Sequence, residues 1–528
     1  CISRVELRLT AIATKHVLFI AAENGALPGG KVGGVGDVVR DLPRALQDLG
    51  WRATVLTPSY GSFHRLPGAT ELAPFTTWFR GTEHTVRAFE LVVKSVRIVL
   101  FEHDFMVPTE AGRIYHDDGP LRPYASDANK FAFFCAAAAS WVDTLSSVPD
   151  AVHLHDWHSA FFLLHREFSP SGERLRRIPT VFTIHNLTYQ GQRPLRDNES
   201  SLEAWFPDMN YDARVLADPF ADDCINPMAF AIRRADRIST VSPTYAQEIQ
   251  CPSNPATGFI GGEGLERDLT RAAEEGRLFG FLNGCEYPAS LGRRPGWQRL
   301  MMAAGETVDE WLEDNPGTTV HELARERLDA LPKRRPLHVL TSVGRLVSQK
   351  MQLFLQPLAD GHSALEHILD KLGRHGVFIM LGSGERGYEE RLEHIAAAHA
   401  NFIFLRGYAE GFGNLLYHGG DLFLMPSSFE PCGISQMLAM RSGQPCVVHG
   451  VGGLHDTVES GTTGFVFAGN TCAEQATAFV DCVERALELR HDHPSRWQKI
   501  RERAAAQRFD WASSAKQYIE QLYERDHN

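Results

Sequence analysis

The sequence predicts an α/β protein built from two doubly wound domains that face each other. Three observations carry this expectation. Short β-rich apolar runs alternate with longer amphipathic stretches, the pattern of a parallel sheet covered by helices. The runs form two series separated by a charged, less periodic segment at about residues 286 to 335. At 528 residues the chain also exceeds what one ordinary core accommodates.

In the first series the expected strands are "HVLFIAA", "RATVLTP", "VRIVLFE", "AVHLHD", "TVFTIHN" and "RISTVSP". The second reads "LHVLTSVG", "VFIMLGSG", "NFIFLRG", "DLFLMPS" and "CVVHGVGG". The expected domains are therefore 1–285 and 336–500, joined by a connecting segment 286–335. Residues 501–528 are expected to form a C-terminal helix that crosses back on the first domain. In it, Trp511, Ala515, Tyr518, Ile519 and Leu522 share one face, and that apolar stripe must pack on something.

Composition narrows the function. A hydrophobic content of 43% with 22% charged residues is that of a soluble globular protein. The net charge of -12 argues against nonspecific binding to nucleic acid or anionic membranes, which needs a positive surface, but it permits a local basic cleft. No apolar run reaches the roughly 18 residues of a membrane helix, and "FAFFCAAAASWV" reads as a buried helix. The nine cysteines are scattered, odd in number and without a C-x-x-C pair, so reduced thiols in a cytosol-like compartment are expected. The first residues, "CISRVELRLTAIATKH", lack a signal-peptide apolar core, and they begin at Cys1 rather than Met, which leaves open whether the true start is present.

The loops after the strands carry the chemistry. "LPGGKVGGVGDVVRDLP" has five glycines and Lys31 between Gly29 and Val38, and leads into a helical stripe of Val38, Val39, Leu42, Ala45, Leu46 and Leu49. A glycine loop entering a helix offers free backbone N–H groups to an anion. It matches neither G-x-x-x-x-G-K-[ST] nor G-x-G-x-x-G, so a phosphate or sugar loop and a plain left-handed turn both stand. Asp37 is expected to cap the helix, and Pro43 to kink it or delay its start. "VHLHDWHSAFF" puts His153 and His155 on one side of a strand, with Asp156 and His158 at its end. A metal site, a neutral imidazole that donates to a polar ligand, and a buried structural histidine are the three readings. "TIHNLTYQG" adds His185 and Asn186 at a second strand end.

In the second series "VGRLVSQK" sets Arg345 and Lys350 just past a strand, where they could neutralise a diphosphate. "DLFLMPSSFEPCGISQMLAM" leads from a strand through Glu430 to a helix, and the carboxylate is either functional or a helix cap. Cys432 has no paired base in the sequence and is not read as a nucleophile. In "GVGGLHDTVESGTTGFVF", Gly452 and Gly453 allow close backbone approach to a ligand, and Thr463 opens a turn.

Together these stretches resemble the bacterial glycogen synthase and starch synthase family. The matches are "KVGGVGDVVRDLPRAL", "VHLHDWHSA", "TVFTIHNLTYQG", "ADRISTVSPTYAQEI", "GRLVSQK", "MPSSFEPCGISQMLAM" and "GGLHDTVESGTTGF", in the family's order over about residues 16 to 467. The resemblance implies two Rossmann-like domains with the active site in the cleft between them, the GT-B arrangement. It also implies transfer of glucose from ADP-glucose to the non-reducing end of an α-1,4-glucan, with retention, without metal or other cofactor, in the cytoplasm. Lys31, Gly33 and Gly34 would then line the cleft near the phosphates and glucose. His155 would hydrogen-bond the transferred glucose, through its side chain or its backbone carbonyl, and stabilise an oxocarbenium ion. Arg345 and Lys350 would bind the diphosphate and offset charge on the leaving ADP. Glu430 would contact the donor glucose, Gly452 and Gly453 would offer N–H groups, and Thr463 would lie near the distal phosphate. Asp127 in "YASDANKF" matches an acidic residue of the family's cleft, with its spacing to Phe131 changed by one; Asp156, His185 and Asn186 are further cleft candidates.

Some positions depart from the family pattern. Glu286 stands where Asp is usual and a nearby Trp is lost, Val451 replaces a Thr, Ser428 replaces a basic residue, and "INPMAFAIRRAD" offers Met228 or Ala229 in place of a lysine. Two other readings therefore stay open: the same donor chemistry on a short oligosaccharide or other small acceptor, and a non-catalytic paralogue that binds glucan or nucleotide sugar. Retention of Lys31, His155, Arg345, Lys350 and Glu430 speaks against the second.

Overall fold

The run His16–Ile20 forms a strand buried at every residue. In the computed structural model, which describes residues 14–290 and 292–524, it lies at the centre of the first of two large sheets. In chain order the strands His16–Ile20, Arg52–Pro58, Val96–Glu102, Ala151–His155, Thr180–Ile184 and Arg237–Thr240 are arranged 3-2-1-4-5-6. Their continuous apolar character follows from burial on both faces, as parallel strands under helices require. Expectations that fall on residues 1–13, Cys1 included, lie outside the described residues.

One feature of this sheet is absent from the sequence reading. Strand Thr82–Val93 pairs antiparallel with Val96–Glu102, and Thr70–Glu71 and Phe75–Phe79 add to it in turn. Phe75, Thr77 and Phe79 point inward while Thr76 and Trp78 face out, the two-residue alternation of a sheet with one solvated face.

Helix Gly34–Asp48 follows the first strand and buries Val38, Val39, Leu42, Pro43, Ala45 and Leu46. It runs through Pro43 from a start at Gly34, so the expected late start does not occur. Asp37 is not its cap; Gly33 holds that position without a side-chain bond, and Asp37 pairs instead with Lys31 and Arg40. The run "FAFFCAAAASWV" lies in the buried helix Ala125–Thr144. Near the C-terminus, helix Trp511–Tyr518 packs on Gly34–Asp48 and continues into the π-helical turn Ile519–Tyr523, with Trp511, Ala515, Tyr518 and Leu522 buried as the stripe requires.

The second sheet has six strands: His338–Val343, Gly376–Gly382, Phe402–Arg406, Leu422–Met425, Cys446–His449 and Phe465–Phe467. They too are ordered 3-2-1-4-5-6, and every neighbouring pair is parallel. The connecting segment is not irregular. It forms helices Trp297–Asp314 and Thr319–Ala330, whose Trp297, Leu300, Ala304, Val308, Ala324 and Leu328 share a core with Val339, Val377, Ile379 and Ile403 of this sheet.

By contact the chain divides into two units. The first comprises the described parts of Cys1–Ser239, Arg267–Phe279 and Trp511–Asn528; the second comprises Thr240–Glu266 and the described parts of Gly280–Asp510. This division differs from boundaries at 285 and 500. Residues 240–266 belong to the second unit, where helix Pro243–Glu248 packs on helix Gly452–Thr457, although the sequence places them in the first series, and the final crossing falls at Trp511 because helix Pro494–Ala506 still buries Trp497 and Ile500 in the second core.

Asp421, just ahead of strand Leu422–Met425, holds the second unit's connecting segment to its sheet. Its buried carboxylate accepts the Val339 N–H at 2.9 Å, Arg294 at 2.9 Å, Arg335 at 3.0 Å and Arg490 at 3.1 Å. Arg294 and Arg335 come from the two ends of the connecting segment. Removing one partner of a buried ionic cluster leaves uncompensated charge behind. Asp421→Ala should therefore lower unfolding free energy by about 3–5 kcal/mol in a urea titration, a cost typical of a broken buried pair.

Candidate active site

In a sheet ordered 3-2-1-4-5-6, the loops leaving strands 1 and 4 diverge, and ligands bind at that switch point beyond the carboxyl ends of the strands. In the first unit strands 1 and 4 are His16–Ile20 and Ala151–His155, paired in register from Val17↔Ala151 to Ile20↔Leu154. The expected glycine loop and the histidine-rich stretch thus leave adjacent strand ends.

The glycine loop is organised by a residue the sequence reading missed. Glu23, buried just past the first strand, accepts the N–H groups of Val32 at 2.8 Å and Gly33 at 2.7 Å on Oε2, and the Tyr115 hydroxyl at 2.9 Å on Oε1. The Gly33 N–H is therefore spent on a protein carboxylate. Gly34 opens the helix with no atom of the described residues beyond its own neighbours within 4 Å of where a Cβ would stand. The Lys31 ammonium, on a side chain 47% exposed, pairs with Asp37 at 2.7 Å. The signal for Glu23 was its place at the end of the central strand, in "HVLFIAAEN".

The three imidazoles of "VHLHDWH" do not share a ligand. His153 is structural: Nδ1 meets the Tyr523 hydroxyl at 2.7 Å and Nε2 the Thr183 hydroxyl at 2.6 Å. His155 Nδ1 bonds His185 Nε2 at 3.0 Å, while its own Nε2 is buried without a partner among the described residues. Burial holds His153 and His155 well below the ordinary imidazole value and brings His158 and His185 to about 3, so all four are neutral near pH 7. Asp156 sits at φ 53°, a left-handed conformation rare outside glycine, and its Oδ1 accepts the His185 N–H at 2.8 Å. Burial pushes Asp156 up to about 7. Asn186 closes a local turn on the Thr188 N–H at 3.0 Å. Asp127, whose charge reaches His158, is buried and accepts Lys130 at 2.7 Å and His116 Nδ1 at 3.0 Å. Although burial opposes it, the bonds from His116 and Lys130 hold that carboxyl below the usual range. Among the described residues no group of three or more His, Cys, Asp or Glu side chains is placed to hold a metal ion.

In the second unit the switch point lies between His338–Val343 and Leu422–Met425, paired at Leu340↔Leu422 and Thr341↔Phe423. Arg345 and Lys350 follow the first of these strands, and Ser427 and Glu430 follow the second. Lys350, on helix Ser348–Leu355, donates to Glu430 Oε2 at 2.5 Å, and the Ser427 hydroxyl donates to the same oxygen at 3.0 Å. Gln349 fastens the two loops by donating to the Phe429 carbonyl at 2.7 Å and accepting the Ser428 N–H at 2.8 Å. Arg345 is exposed with no ion-pair partner among the described residues. Arg345, Lys350 and Glu430 together carry one net positive charge, and the free guanidinium is the part an anion can reach. Glu430 is not a helix cap, since the next helix starts at Ser435. Burial pushes the Cys432 thiol up to about 12, which agrees with an inert cysteine.

The double glycine has a different cause from the one expected. The Gly452 N–H donates to Glu248 at 2.9 Å, and the Gly453 N–H to the Glu430 carbonyl at 3.1 Å, so neither is free for a ligand. A Cβ at Gly452 would stand 2.0 Å from the Glu430 oxygen, and one at Gly453 2.2 Å from that of Cys432. Glycine is required because backbone meets backbone there. Thr463 is likewise engaged, accepting the Glu459 N–H at 2.9 Å inside its own turn.

Residues 16–271 match the family of the starch synthase catalytic domain, and residues 338–488 match glycosyl transferases group 1. With two sheets of Rossmann order in one chain, this makes the protein a glycosyltransferase of the GT-B class. Curated relatives include glycogen synthases from Streptococcus equi subsp. equi, 31% identical over 96% of this chain and 98% of the relative, and from Anaeromyxobacter dehalogenans strain 2CP-C, 34% identical over 96% and 99%. The solved catalytic domain of starch synthase IV from Arabidopsis thaliana is similar with a TM-score of 0.73 and 27% identity, covering 97% of this chain and 99% of that one. A sucrose-phosphate synthase from Thermosynechococcus elongatus, 17% identical with a TM-score of 0.53 over 96% and 98%, shares the fold. The chain belongs to the glycogen synthase and starch synthase family. Among the described residues no helix is long and apolar enough to cross a membrane.

The steric account of the glycines is testable by comparison. Gly453→Ala should cost about 1–3 kcal/mol in thermal or urea unfolding, as overpacking does, whereas Gly34→Ala should stay within about 1 kcal/mol of wild type or stabilise. Asp156 yields a pH effect. Its folded value of about 7 lies above the ordinary carboxyl value of 3.8, so its contribution to stability is present below pH 4 and is lost as pH rises through 7. Asp156→Asn, which tolerates the left-handed backbone, should thus gain stability relative to wild type between pH 4 and 8. Parallel unfolding curves across that range would contradict the assignment.

Proposed function

We propose that the protein is a retaining glucosyltransferase that moves glucose from ADP-glucose to the non-reducing end of an α-1,4-glucan. The observation that carries this reading is the group formed by Arg345, Lys350 and Glu430 at the second switch point. In the transfer the bond from the sugar C1 to the diphosphate oxygen breaks, and ADP leaves with the electron pair. The acceptor hydroxyl oxygen then bonds C1 on the same face, and its proton passes to the departing diphosphate oxygen. Charge therefore accumulates on the diphosphate, where Arg345 and Lys350 offset it. Glu430 contacts the donor glucose and, through its ion pair, holds the Lys350 ammonium in place.

In the first unit, the acceptor side, His155 serves the transferred glucose, with its ring held by His185. Lys31, Gly33 and Gly34 line the approach to the phosphates and sugar, and Asp127, Asp156 and Asn186 support that surface. We assign Gly452, Gly453 and Thr463 to the shape of the nucleotide-sugar side, because their polar groups are engaged within the protein. The related starch synthase IV was solved bound to ADP and acarbose, which supports a nucleoside diphosphate and a sugar as ligands. All eight described cysteines are free, which supports a reducing, cytoplasmic setting.

The test is a donor panel of ADP-, UDP- and GDP-glucose crossed with glycogen and maltooligosaccharides, read as nucleotide release and product length. ADP-glucose with glycogen should give the fastest release and lengthened chains. Glu430→Ala should lower kcat by about 100- to 1,000-fold, the scale of lost electrostatic stabilisation. Arg345→Ala should lower kcat/KM by about 10- to 100-fold with an unchanged Tm, since its side chain is exposed and unpaired. Absence of turnover with every donor, or equal rates for Glu430→Ala and wild type, would overturn the proposal.

A further inference from the structure

The stretch "TVSPTYAQEI" has no place in the chemistry above, yet its residues 240–249 belong to the second unit and meet both loops of the donor side. Its helix, Pro243–Glu248, is capped by Ser242, which accepts the Tyr245 N–H at 3.1 Å. The Ser242 hydroxyl proton is spent elsewhere, on the Pro431 carbonyl at 2.6 Å, directly beside Glu430. Thr244 donates its N–H and its hydroxyl to the two carboxylate oxygens of Asp456 at 2.9 and 2.6 Å. Tyr245 is fully buried, with its ring 5.6 Å from that of Phe429. Glu248 accepts the Gly452 N–H at 2.9 Å.

We infer that Ser242–Glu248 is a bracket that positions the Glu430 loop against the Gly452–Gly453 turn, with Glu248 as its central positioning residue. Two contacts separate Glu248 from the Glu430 backbone: Glu248 fixes Gly452, and the next residue, Gly453, donates to the Glu430 carbonyl at 3.1 Å. Gly452, at φ 44° and pressed on the Glu430 carbonyl, has no room to turn its N–H elsewhere. Glu248 touches no substrate in this scheme; it acts through the backbone it holds. Burial, with the charge of Asp456 adding, pushes Glu248 up to about 7. The neutral side chain of glutamine, which keeps the Oε1 acceptor, is therefore a fair replacement. The inference deepens the proposed transferase reading and rests on it for its catalytic consequence.

The experiment compares Glu248→Ala, Glu248→Gln and Ser242→Ala in the full chain, by hydrogen exchange of peptides covering 428–434 and 450–457 and by steady-state kinetics per folded protein. Glu248→Ala should speed exchange in both peptides by at least about 10-fold while distant peptides stay unchanged, because the opening cost of the turn falls. It should lower kcat by about 10-fold or more while donor KM moves less than about 3-fold. Glu248→Gln should restore both readouts to within about 3-fold of wild type, and Ser242→Ala should raise exchange at 428–434 more than at 450–457. Unchanged exchange in Glu248→Ala overturns the bracket. Faster exchange with unaltered kcat shows a structural tie only and overturns the positioning role. If the wild type turns over no donor, the transferase reading fails, and the exchange comparison still decides the bracket.

Discussion

The adjacency of strands 1 and 4 in each sheet is the constraint on which the rest of the structure depends. Crossover connections between parallel strands are right-handed, so a 3-2-1-4-5-6 order sends the chain to opposite faces of the sheet on the two sides of that pair. The backbone leaving these two strand ends is splayed, and polar groups can converge there without blocking the sheet's own hydrogen bonds. In the first unit the adjacency delivers Glu23 from strand His16–Ile20 and His155 with Asp156 from strand Ala151–His155. In the second it delivers Arg345 and Lys350 from one strand and Ser427 and Glu430 from the other. The Lys350–Glu430 pair spans 80 residues of sequence and becomes local only through that strand order.

Each unit uses a carboxylate to organise a glycine turn. Glu23 collects two N–H groups of the Lys31 loop, and Glu248 collects the N–H of Gly452. A buried carboxyl is tolerable when N–H donors replace its water: Glu23 accepts two of them, whereas Glu248 accepts the Gly452 N–H and is pushed by burial up to about 7, so its oxygen serves as an acceptor with or without charge. The division of labour that results is unlike that of a phosphate-binding loop. The turns are shaped internally; in the second unit the charge left for an anion is the exposed Arg345, without an ion-pair partner among the described residues, while in the first the half-exposed Lys31 is shared with Asp37. This also explains why the first loop matches neither standard phosphate signature: several of its N–H groups already have an owner.

The sheets were legible because buried parallel strands are apolar throughout, and each of the eleven expected runs contains a strand. The antiparallel extension at 70–93 was not, since its alternation of Phe75, Thr77 and Phe79 with Thr76 and Trp78 is short and its neighbours are charged. The connecting segment looked irregular because its helices are rich in charge and bury only a narrow stripe. Local rules misread Asp37 and Pro43: a nearby lysine outcompetes the cap, and the packing of a buried face carries the helix through the proline. The candidate residues themselves could be picked from their strand-end positions, but not their partners. Glu23 lies ten residues from Gly33, and Glu248 lies 204 residues from Gly452; no periodicity connects such pairs.

The histidines show how far such non-local partnership reaches. His153 and His155 alternate on one strand and lie ring to ring at 4.2 Å, and burial keeps both neutral. A neutral imidazole can be satisfied on both nitrogens by hydroxyls, which donate or accept as needed. His153 has this arrangement between Thr183, itself bonded to Ser239, and Tyr523. Tyr523 lies 370 residues away, in the π-helical turn that ends the C-terminal helix. The apolar stripe of that helix seats it on Gly34–Asp48, and the seating brings the tyrosine under strand Ala151–His155. His153, held on both sides, is a fixed wall for the His155 ring, and His185 holds the other side at Nδ1. The helix Trp511–Tyr518 therefore does more than cover apolar surface: it helps set the orientation of the imidazole at the first switch point, and that orientation leaves Nε2 without a partner among the described residues.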